Sequence, residues 1–152
     1  MQTNHAGQYN RFFIMISLSF VAMYLLMYAM IDSFANFFFN INQFYMAALM
    51  TSPMIILEIV LMGEMYGDKK MNSLIIIGAF VLLFVSFLFI QQQTFVSDKQ
   101  FLRSMIPHHA GAILMCKKAD LRDPEIKQLC SEILAGQKRE VAQMKTKLYQ
   151  LR

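Results

Sequence analysis

Charge is scarce in the first two thirds of this 152-residue sequence. Seven of its 24 Asp, Glu, Lys and Arg residues precede residue 98, although 57% of the whole chain is hydrophobic and only 16% charged. A water-soluble domain carries about 25% charged residues, so that region is not an ordinary soluble domain. Strand-like alternation, internal repeats and low-complexity tracts are also missing, which leaves an all-helical reading. Several enzyme signatures are absent as well. There is no H-E-x-x-H zinc motif, no glycine loop to cradle phosphate, and no nucleophile paired with a base. Adjacent histidines can act as acid and base, but without that apparatus no enzyme is expected. The C-terminal part, residues 98–152, holds eleven Lys and Arg against six acids. Apart from Phe101 and Tyr149 no aromatic residues interleave with them as a single-strand binder requires, so nucleic acid is not an expected partner and anionic lipid is.

What the first 97 residues do have is long apolar runs. Phe12 to Ile31 is uncharged for 20 residues, about 30 Å of helix and the thickness of a bilayer core. A signal peptide would have a shorter apolar core and a better cleavage site than Ser33-Phe34-Ala35, so the run reads as a retained span. Phe44 to Met62 is a second span, interrupted by Pro53 and Glu58, with Pro53 predicting a kink rather than an end. Ser73 to Ile90 is a third. The division expected is a membrane domain over 1–97, with helices at about 12–31, 44–62 and 73–90, then a soluble region over 98–152.

The first linker, Asp32 to Gln43, contains no Lys or Arg, whereas Arg11, Lys69 and Lys70 lie on the opposite side. Short loops follow the positive-inside rule best, so the N-terminus is expected in the cytoplasm and the C-terminal region outside it.

That region reads as a helical hairpin. Asp98 is a candidate cap for a helix to about Ala119, with a kink at Pro107. Leu121 to Asp123 make the turn, and Asp123-Pro124-Glu125 starts the return helix. Ile126, Leu129, Ile133, Val141, Met144, Leu148 and Leu151 recur at helical spacing along it, and Gly136 weakens it modestly. Two helices alone make a poor core. Two hairpins pairing into a four-helix bundle would solve this, and the alternatives are docking onto the chain's own membrane helices or onto another protein. A homodimer through the hairpins is favoured. Cys116 and Cys130 are equidistant from Asp123, which suits a disulfide across the hairpin. Cys116 as a soft metal ligand and simple burial remain open alternatives.

The chemistry is concentrated in Phe101 to Met115. At 100° per residue, Met105, His108, His109, Ala112 and Cys116 share an arc about 100° wide, with Met115 at its margin. Thioether, imidazole and thiol form a soft donor set suited to Cu(I) and Ag(I), and the face offers no oxygens for Mg or Ca. Two surface histidines beside core methionines are the plainer alternative. The pattern Met105-Ile106-Pro107-His108-His109, with Asp98, Phe101, Ala112 and Met115, continues in Pro124, Gln137, Glu140 and Met144. It resembles the domain-of-unknown-function 305 family, small helical proteins of the bacterial cell envelope. The resemblance covers about residues 98–148. It implies half of a ferritin-like four-helix bundle, a bacterial cytoplasmic membrane setting with an extracytoplasmic domain, and copper or silver handling. Met105, His108, His109, Met115 and Met144 are then the candidate ligands, and Asp98 and Glu140 hold supporting or structural positions. The expected function is a membrane-anchored Cu(I)/Ag(I)-binding protein of copper homeostasis or tolerance, with a copper-handling protein as a candidate partner. The competing expectation is a metal-free interaction module.

The membrane helices carry a second soft pattern. Met15, Met23, Met27 and Met30 lie in the first span; Met46, Met50, Met54 and Met62 lie in the second, with Glu58 completing the i+4 series. The third span has no methionine. Adaptable packing between two touching helices is one reading, and a thioether path for Cu(I) translocation is the other. Both expect the first two helices to meet through their methionine faces.

Overall fold

The computed structural model describes residues 5–151, apart from the side chains of His5 and Ala6. Residues 1–4 and 152, the outer ends of the two expected regions, lie outside the described residues. Every regular element described is helical. α1 is His5–Leu26, followed by 3-10 turns at Met27–Met30 and Phe34–Asn36; α2 is Ile41–Leu61; α3 is Lys69–Gln92; α4 is Asp98–Lys118; α5 is Pro124–Gln150.

The chain divides into two compact units. One comprises residues 1–26 and 42–94, the other residues 27–41 and 95–152. The first linker therefore belongs with the hairpin, not with the membrane helices on either side of it in sequence.

In the first unit, three helical stretches, Gly7–Met30 (whose last residues belong to the other unit), Ile41–Leu61 and Lys69–Gln92, are long and apolar enough to cross a membrane. Phe12, Ile55, Ile59, Tyr66 and Ala79 form a buried cluster joining α1, α2 and α3. α2 continues through Pro53, as a membrane helix can when neighbouring groups are packed around it. Beside it, Thr51 and Ser52 donate to the Ala47 and Ala48 carbonyls. α2 ends before Gly63, where a Cβ would come within 2.8 Å of the Ile59 carbonyl oxygen.

The second unit is built on α4 and α5. Ser97, not Asp98, caps α4: its hydroxyl accepts from the Gln100 N–H, and Asp98 occupies the first turn, where its charge suits the helix dipole. α4 runs unbroken through the buried Pro107. Asp123 caps α5 with Pro124 at its start, as the sequence predicts. Ile106, Ile113, Val141 and Leu148 form the core, with Leu102, Leu134, Met144 and Phe38 packed around it.

Phe38 comes from the linker, so part of the cover a two-helix hairpin lacks comes from residues 27–41. Polar contacts hold it there. Asn40 accepts from the Ser104 hydroxyl at 3.2 Å, the Gln100 side chain accepts from the Ile41 N–H at 3.1 Å, and Lys117 pairs with Asp32 at 3.1 Å. Gly111 faces this segment: a Cβ there would lie 3.7 Å from the Met30 carbonyl oxygen, an ordinary van der Waals contact, so alanine would be accommodated.

Burial works against ionisation of Asp32. Hydrogen bonds from Lys117 and Asn36, with the Lys117 charge, outweigh it and hold the carboxyl below its ordinary range. A carboxyl depressed by folding contributes stability above its unfolded value, near about 3.9, and loses it as pH falls through the folded value. We expect protection of linker amides from hydrogen exchange to be level from neutrality to about pH 4 and to decline below it. The effect should be under about 1 kcal/mol, because Lys117 is 40% exposed. Asp32→Asn should abolish the decline; a decline centred near pH 6 would contradict this assignment.

Candidate functional site

The antiparallel pairing of α4 and α5 decides which donors meet. His109 Nε2 lies 2.9 Å from Glu140 Oε2, and Cys116 is bonded to Cys130. Met105 lies one turn before His109 on α4, and Met144 one turn after Glu140 on α5.

His109 is held at both ring nitrogens. Nδ1 lies 2.8 Å from the Met105 carbonyl oxygen, which can only accept, so Nδ1 carries a proton. Nε2 faces the carboxylate, leaving either an imidazolium ion pair or a carboxylic acid donating to the ring. A metal would take Nε2 only after the Glu140 carboxylate moved aside. The ring is 12% exposed and the carboxylate 54%, so the carboxylate is the freer partner. His108 is exposed and makes no hydrogen bond to another described residue; its ring lies edge-on to His109, centroids 5.8 Å apart. Met105 is half-buried, Met115 is 52% exposed, and Met144 packs at the margin of the core.

The candidates do not all share one place. Met105 and Met115 are ten residues apart, about 15 Å along the helix, so one ion cannot take both. Asp98 lies about 16 Å from His109 by the same rise, and its position is that of a first-turn acid rather than a neighbour of the histidines. Cys116, entertained as a soft ligand, is committed to the disulfide and offers no thiolate in this state. Among the described residues no group of three or more His, Cys, Asp or Glu side chains could hold a metal ion. A centre with three or more donors on this face would therefore draw on methionine sulfur.

The membrane methionines depart from the expected arrangement. Met27 and Met30 lie in the 3-10 turn that follows α1, within the other compact unit. Met46 and Met50 on α2, and Met62 just after its end, are exposed. Met23 does reach α2, its sulfur lying 3.6 Å from the Thr51 hydroxyl oxygen, and Met54 is half-buried. Glu58 faces protein, as an ionisable group within a span should: it accepts from the Tyr66 hydroxyl at 3.1 Å. Tyr66, just beyond the span, has its phenol pushed up by burial and by Glu58, and so remains a neutral donor.

Sequence reasoning missed the linker residues Tyr28, Phe38 and Asn40. Tyr28 donates to the Phe38 carbonyl at 2.8 Å, and the buried Asn40 links both to α4 through Ser104. The signal was the run Phe37-Phe38-Phe39 in a segment too short to be another span.

These features define a helical protein with three helices able to cross a membrane and a disulfide-closed hairpin bearing a Met/His face. The model of the family described as "Domain of unknown function (DUF305)" matches residues 89–148. An uncharacterised protein of Acanthamoeba polyphaga mimivirus is 37% identical over 134 residues, covering 86% of each chain. An alignment of that length takes in most of the membrane region as well as the hairpin. The chain belongs to the DUF305 family. No solved structure matches it.

Proposed function

We propose that this protein is a membrane-anchored, non-enzymatic binder of Cu(I), and of Ag(I) as its heavier analogue, acting in copper homeostasis or tolerance. The observation that carries the reading is the arrangement around His109, whose ring is held by the Met105 carbonyl and the exposed Glu140 carboxylate and lies edge-on to His108, with Met105 one turn before it on α4. Neutral thioether and imidazole donors are those that Cu(I) prefers over hard ions. Glu140 orients the empty ring and releases it when metal arrives. Met115, exposed and farther along α4, suits capture or hand-over rather than a shared bond. Replacing His108 and His109 with alanine should lower Cu(I) affinity by well over tenfold, measured in competition with a chromophoric chelator. Helicity should be retained. Unchanged affinity in the double variant would refute the reading and leave a metal-free interaction module.

The same proposal places the hairpin on the extracytoplasmic side of a bacterial-type cytoplasmic membrane and the N-terminus inside. A disulfide is expected on the oxidising side, and the first linker lacks basic residues. A reporter that is active only outside the cytoplasm, fused after Arg152, should be active. Labelling of a cysteine placed at Lys69 by an impermeant reagent in intact cells would overturn this topology. Pairing of two hairpins fits the exposed Ile126, Leu129 and Ile133 stripe on α5. A translocation path through the membrane methionines is less favoured, because Met46, Met50 and Met62 are exposed rather than buried between helices.

A further inference from the structure

The bond between Cys116 and Cys130 does not lie inside the hairpin core. Neither cysteine belongs to the buried cluster of Ile106, Ile113, Val141 and Leu148, and both are only partly buried. They line an open cleft of about 310 Å³, together with Asp120, Lys127, Ser131 and Leu134. A small thiol can reach the bond from solvent there, and the Lys127 ammonium favours the thiolate that must leave.

We propose that this pair, once reduced, is a second soft-metal site: a dithiolate that binds one Cu(I) between α4 and α5. The two Cα atoms are held 5.5 Å apart by the helices. Two metal–sulfur bonds of roughly 2.3 Å, the length known for zinc thiolates, span about 4.6 Å between sulfurs. Cβ atoms about 3.8 Å apart reach that separation by side-chain rotation, without moving either helix. Thiolates are the donors that select Cu(I), and two suffice for a linear site. The site is separate from the Met/His level: Cys116 lies seven residues beyond His109, about 10 Å along the axis, too far to share an ion. It does not depend on that level binding metal.

The chemistry balances with a dithiol as reductant. One of its thiolates attacks a protein sulfur, forming a mixed disulfide and releasing the other cysteine as thiolate. The reductant's second thiol then resolves the mixed disulfide. Two electrons and two protons pass to the protein, and the reductant leaves as its own disulfide. Cu(I) then displaces two protons from the paired thiols. Re-oxidation by a disulfide of the same class closes the bond and expels the ion. Reducing conditions, which keep copper as Cu(I), thus also open the site.

The test uses the full chain in detergent, prepared oxidised, or reduced with a dithiol that is then removed without air. Cu(I) is titrated against a competing chelator, and thiolate-to-copper charge transfer is followed in the ultraviolet. The reduced protein should bind about one Cu(I) per chain more than the oxidised protein, with the charge-transfer band accompanying only that ion. Cys130→Ser should lose the extra ion and the band. The His108→Ala, His109→Ala double variant should keep both when reduced, which separates this site from the Met/His level. Circular dichroism confirms that the reduced chain remains helical, and X-ray absorption of the extra ion should show two sulfur donors. Equal stoichiometry in the two redox states would overturn the proposal, as would extra copper that survives Cys130→Ser or lacks sulfur ligation.

Discussion

Replacing Ile106 with alanine is expected to destabilise the hairpin unit by about 3 kcal/mol, within the 2–5 kcal/mol usual for such truncations. Ile106 is fully buried, 0% exposed, and it sits in the cluster where α4, α5 and Phe38 of the first linker meet. Its truncation removes about three carbons' worth of apolar burial and leaves a cavity lined by Ile113, Val141 and Leu148. The surroundings close that cavity poorly, because the disulfide fixes the helix pair at one end and the linker is anchored to α4 by polar contacts. Amide exchange of α4 and α5 in the full chain, or urea unfolding followed by helicity, provides the measurement. A matched truncation on the outer face, Ile126→Ala, should cost far less, since Ile126 is already 50% exposed. If the two variants lose equal stability, the core has been misplaced.

Removing the disulfide by replacing Cys116 and Cys130 with serine should cost a similar amount, about 3 kcal/mol. The two cysteines are 14 residues apart, and closing a loop of that size restricts the unfolded chain by roughly this much in the chain-entropy description. The wild-type protein under reducing conditions should lose about the same, and adding reductant to the double serine variant should change nothing. Ile106 and Cys116 are ten residues apart, about 15 Å along α4. The core truncation and the disulfide loss should therefore add to within about 0.5 kcal/mol. A double-serine variant as stable as the wild type would mean that α4 and α5 are already so restrained when unfolded that the bond has nothing left to constrain.

Much of the architecture was legible because it rests on one-dimensional rules. An uncharged run of 20 residues from Phe12 can only be stable where lipid or other apolar groups surround it, whatever the rest of the chain does. The start of α5 at Asp123-Pro124 is local chemistry, a side chain accepting from its own helix's first N–H groups, and it appears where the sequence puts it. Equal spacing of Cys116 and Cys130 about the turn is a counting argument that suited the disulfide, and the structure chose it among three open readings. Local rules failed where two local signals competed. Ser97 and Asp98 are both good caps, and only the backbone's turn into α4 chose the serine.

The tertiary structure alone decided matters that depend on rotation and on residues distant in sequence. Helical spacing placed Met105, His108 and His109 on one face, but it could not say that the Glu140 carboxylate would meet His109 Nε2, because that depends on the register between two helices. The methionines of α2 lie on a shared ridge by spacing, yet whether the ridge turns toward α1 or away is set by packing; Thr51 and Ile55 are buried, and Met46 and Met50 are exposed. The linker Asp32 to Gln43 read as a connection because no periodicity marks it, and residues 27–31 read as the end of the first span. It became part of the hairpin's cover because Phe38 fills a gap that two helices cannot fill by themselves, and Asp32 and Asn40 find their polar partners on α4, about 60 to 85 residues later in the chain.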